Sequence, residues 1–179
     1  MECRWLRLKS LHQQILSGSP LNTSTDESKQ LTLELKVLLG LEIGQCEKFP
    51  SRCLHCHQLL ALTVLKMMFE IPSGCGSGCS QFFTALEPVL MKNMFSKDEF
   101  IRYSTQKFLV VVIKSDNVSD TDKSRILNAL CEKLKIPDSP KEMKIILQLF
   151  SQVMSRKNGE MVNKVAFEIL QKNLPGIFM

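Results

Sequence analysis

The chain reads as an all-α fold, with short helical hairpins stacked side by side or gathered into an irregular helical bundle. Three observations predict it. Apolar residues recur at helical spacing along most of the 179 residues. After residue 95, a hydroxyl followed three residues later by an acid stands ahead of three such runs, at Ser96 with Glu99, Ser119 with Asp122 and Ser139 with Glu142. Glycine, proline or a polar turn separates one run from the next. A composition of 44% hydrophobic and 23% charged residues suits one folded domain spanning 1–179.

The first helix uses Trp5, Leu8, Leu11, Ile15 and Leu16 as an amphipathic stripe and stops at the Ser17 to Pro20 breakers. Ser24 and Glu27 form a capping box for a second, through Leu31, Leu35, Leu38 and Leu39, weakened at its end by Gly40 and Gly44. Pro50 lies in the connection to a stronger helix from about Arg52 to Ile71, whose broad apolar surface predicts enclosure on more than one side. Residues 72–79 form a glycine-rich flexible loop, dividing N-terminal helices in 1–71 from a repeat-like region in 80–179.

Ser80 is placed to cap a helix bearing Phe82, Phe83, Leu86, Val89, Leu90 and Met94. The Ser96 cap introduces Phe100, Ile101, Phe108, Leu109, Val112 and Ile113; the run from Val110 to Ile113 has strand preference, but the upstream cap favours a helix. Ser119 leads into Ile126, Leu127, Leu130, Cys131 and Leu134. Ser139, with Pro140 at the first helical position, leads into Met143, Ile146, Leu147, Phe150 and Met154. A last helix follows Gly159, through Met161, Val162, Val165, Ala166, Ile169 and Leu170.

Two neighbouring helices after Ser80 occupy about 40 residues, the scale of armadillo and HEAT repeats. Residues 80–179 resemble that class in form, without a specific repeat consensus. The resemblance implies stacked hairpins that bury one face and offer another to a partner.

The net charge of +5 is concentrated late, with ten basic against six acidic side chains in residues 121–179. Lys123, Arg125, Lys133, Lys135, Lys141, Lys144, Arg156 and Lys157 therefore form the candidate partner-binding surface. The expected partner is another protein with an acidic surface. The alternative is a nucleic acid held through its phosphates, although Trp5 is the sole tryptophan and Tyr103 the sole tyrosine, which leaves little for base stacking.

No apolar stretch reaches membrane-spanning length, since Lys66 and Glu70 interrupt the longest one. The start lacks a secretory signal pattern, and seven cysteines are an odd number, which together suggest reduced thiols in cytoplasm or nucleus.

Cys53, His55, Cys56 and His57, with Cys75 and Cys79 further on, carry zinc-donor chemistry and the less favoured expectation of a zinc-stabilised domain. A continuous helix of about 29 Å from Arg52 to Ile71 opposes a single site, because its donors must converge within about 2.3 Å of one ion. No acid, base and nucleophile are grouped in a recognisable catalytic pattern. The expectation is a non-enzymatic scaffold or adaptor in a larger intracellular complex, with no cofactor. The Leu35 to Leu39 segment also matches a short leucine docking motif, yet Leu35, Leu38 and Leu39 are the positions the second helix needs for its own core.

Overall fold

The computed structural model describes residues 6, 9–10, 13, 17, 25–41, 51–70, 79–116, 118–135, 140–154, 164, 167–168 and 170–172. Among them the regular structure is entirely helical. The helices are α1 (Thr25–Gly40), α2 (Ser51–Glu70), α3 (Cys79–Asn93), α4 (Glu99–Lys114), α5 (Asp120–Lys135) and α6 (Pro140–Val153). Leu6, Lys9, Ser10 and Gln13, and again Lys164, Phe167, Glu168 and Leu170–Lys172, are also helical. The remaining residues of the expected first and last helices, and residues 72–78 of the expected loop, lie outside the described ones.

The chain divides into two compact units, Met1–Phe108 and Leu109–Met179, with the boundary inside α4. In the first unit α1 packs on α2 and on α3. Leu35 and Leu39 of α1, Leu62 and Leu65 of α2, and Phe83, Leu86 and Leu90 of α3 are fully buried. Phe69 and Phe108 meet edge to face at 5.3 Å, a favoured arrangement for aromatic quadrupoles. The leucines of the docking-like motif are thus core residues. In the second unit α5 packs on α6, burying Ile126, Leu127, Leu130 and Cys131 of one and Ile146, Leu149 and Phe150 of the other.

The Val110 to Ile113 run is helical, with Val112 and Ile113 fully buried in the second unit. Pro88 lies inside α3, where the sequence reading passed over it. Proline there removes one helical N–H donor, and α3 nonetheless continues because Leu86, Leu90 and Met94 hold it in the core.

The caps explain where two helices begin. At α5, Ser119 Oγ accepts the Asp122 N–H at 3.1 Å and donates to Asp122 Oδ2 at 2.7 Å, as the hydroxyl-acid spacing predicts. At α4 the expected Ser96 and Glu99 box does not form. Asp98 caps instead, its Oδ1 accepting from the N–H groups of Phe100 and Ile101, both at 3.0 Å. Its negative charge suits a helix N-terminus, while Ser96 Oγ accepts the Asp98 N–H one step outside. With that shift, α3 to α6 begin 20, 21 and 20 residues apart. The caps at Ser24 and Ser139 lie outside the described residues.

Candidate partner-binding surface

The described basic residues of α5 are engaged with acids and do not form one open field. Lys123 is 9% exposed, its stem packed down and its amine 3.4 Å from Asp120. Arg125 donates toward Asp122 at 2.9 Å, and Lys135 pairs with Glu132 at 2.7 Å. All three are pairs three residues apart on α5, where successive turns bring opposite charges together. Lys133 reaches Glu142 at 3.6 Å, joining the end of α5 to the start of α6.

Lys141 and Lys144 on α6 differ. Both are exposed, and among the described residues neither has an acidic partner. Arg156 and Lys157 lie outside the described residues.

The core side of α6 is built by Ile145, Ile146, Leu149, Phe150 and Val153. That stripe leaves out Met143 and Leu147, two members of the apolar run that the sequence places after Ser139. They are 40% and 45% exposed, on the side that carries Lys144. The signal that could have found this is the pair of overlapping four-residue spacings, Ile145–Leu149–Val153 and Ile146–Phe150, which already complete a buried stripe. The outward face of α6 therefore combines two apolar side chains with two ammonium groups that have no acidic partner among the described residues.

The first unit has a separate polar construction. Gln58 of α2, almost fully buried, donates both amide hydrogens, to the Leu38 carbonyl at 3.0 Å and the Leu41 carbonyl at 2.7 Å. Asn93, at the end of α3, donates to the Leu39 carbonyl at 2.8 Å. These amides satisfy carbonyls that a helix C-terminus leaves without N–H partners. Beside them opens a cleft of about 440 Å³, with Lys92, Lys97, Ser96 and Asp98 in its wall. Asp98 Oδ2 lies 2.9 Å from His55 Nδ1, so its carboxylate both caps α4 and fastens α2.

The candidate metal donors do not converge where they are described. His55 is engaged with Asp98, while Cys56 is exposed. His57 is held below the usual histidine pKa by burial. No group of three His, Cys, Asp or Glu side chains gathers among the described residues. Cys75 and the side chains of Cys53 and Cys79 lie outside the described ones. No helix among the described residues is long and apolar enough to cross a membrane.

Neither a family model, a curated protein nor a solved structure matches this chain.

Proposed function

We propose that this chain is a non-enzymatic protein-interaction module, a scaffold or adaptor piece of an intracellular complex, and that α6 receives an acidic, partly apolar segment of another protein. The observation that supports it is the outward face of α6, where Met143 and Leu147 are exposed on the side that carries Lys144, with Lys141 exposed at the far edge of that face. Apolar contact would supply most of the affinity, and the two lysines would select acidic partners and speed encounter. Lys123, Arg125, Lys133 and Lys135 contribute less, because an acid already sits beside each.

The same pairing weakens the nucleic-acid alternative, since phosphate binding draws on lysines and arginines free to release counterions. The two readings separate in one experiment. The native assembly is captured with wild-type, K141E/K144E and M143S/L147S chains at low and high salt, alongside heparin, duplex DNA and RNA binding by the purified protein. Both variants should lose the same protein partner, the charge variant by about tenfold at low salt and less at high salt. Unchanged capture by both variants rejects the α6 surface. Salt-sensitive binding to all three polyanions, lost in K141E/K144E, would establish the phosphate reading instead.

A further inference from the structure

Between Glu99 and Val110, the exposed side chains of α4 are Glu99, Phe100, Tyr103 and Lys107. At about 100° per residue these four share one side of the helix, across an arc of roughly 100°. Phe100, one of the apolar residues that the sequence places after the Ser96 cap, is 67% exposed, and Tyr103 52%. Ile101, Thr105 and Phe108 occupy the buried side in its place.

Two adjacent exposed aromatic rings are unusual on a solvated surface and common in interfaces. Their surroundings identify the occupant. Glu99 stands at the N-terminal end of this stripe, with its side chain 83% exposed and Arg102 at 3.5 Å. Lys107 stands at the other end, its Nζ 4.4 Å from the Tyr103 ring centroid, without an acidic partner among the described residues. A uniformly acidic or uniformly basic partner would meet a like charge at one end. A second copy of the same helix, running antiparallel about a two-fold axis at Tyr103, would meet an opposite charge at both.

We propose that this face of α4 pairs with α4 of a second copy, Glu99 of each facing Lys107 of the other and the Phe100 and Tyr103 rings packed between. Such a contact is isologous: one self-complementary patch used twice. It uses residues of the first unit and does not depend on the α6 reading.

The test is sedimentation of the purified full chain from micromolar to millimolar concentration. Wild type should pass from monomer to dimer, and F100S/Y103S should remain monomeric. E99K and K107E should each weaken the dimer by about tenfold, because each substitution turns both symmetric attractions into repulsions. The decisive sample is an equimolar mixture of E99K and K107E. In that heterodimer lysine again faces glutamate at both ends, so association should return to the wild-type level. All substituted positions are exposed, and circular dichroism of each variant checks that the fold is retained. A wild-type chain that stays monomeric throughout overturns the proposal, as does a mixture no better associated than its two components.

Discussion

Gln58 shows how much one side chain can determine. Its amide serves the carbonyls of Leu38 and Leu41 from a nearly solvent-free position. Gln58→Leu would keep much of the volume but leave buried acceptors unpaired, and should lower stability by about 2 to 3 kcal/mol in urea denaturation. Asn93→Ala removes the neighbouring bond to Leu39, so the two losses should be non-additive in a double-mutant cycle. Cys131 offers a chemical check, since burial pushes its thiol pKa up to about 11. At neutral pH, alkylation followed by peptide mapping should label exposed Cys56 and spare Cys131 until the protein unfolds. His57 sets a pH dependence. Its folded pKa lies below the ordinary 6.5, so its contribution to stability is present above that value and declines as pH falls through the lowered pKa. His57→Gln should flatten the stability profile between pH 7 and pH 5. None of the bonds from Gln58 or Asn93 was legible in the sequence. Their partners are backbone carbonyls 17 to 54 residues away, and a carbonyl has no residue type to reveal it.

Local chemistry made the elements far more legible. Apolar spacing located α2, expected at about 52–71 and found at Ser51–Glu70. The Ser119 and Asp122 box marked the start of α5. Where prediction slipped, two local signals competed: Ser96 and Asp98 both offer oxygens near the start of α4, and the carboxylate wins because it also engages His55. Asp98→Ala should therefore cost about 1 to 2 kcal/mol and Ser96→Ala clearly less, compared by thermal denaturation. Equal losses would return the cap to the serine. The candidate surface was legible only in part. Asp120–Lys123, Asp122–Arg125 and Glu132–Lys135 are helix pairs recognisable from spacing, whereas Lys133–Glu142 depends on how α5 meets α6. Helical period alone did not decide which apolar residues of α6 and α4 would face outward, because Met143, Leu147 and Phe100 fit a widened stripe equally well.

At the scale of the whole molecule, the near-constant 20-residue spacing from α3 to α6 continues across the division between the units. α4 supplies Phe108 to the first core and Val112 and Ile113 to the second. A helix breaker in α4 should thus damage both, and one in α6 mainly the second. Hydrogen exchange should show Lys107→Pro deprotecting amides in α2 and α5 alike, while Lys144→Pro leaves those of α2 protected. Equal loss in the two variants would mean that the units open as one. The amide clamp on α1 also bears on how the chain is made. Because synthesis runs from the N-terminus, α1 leaves the ribosome before either donor that will finish its end. Its Leu39 carbonyl stays without the Asn93 amide until a further 54 residues have been added, and a nascent chain halted before that point would carry an incomplete first unit.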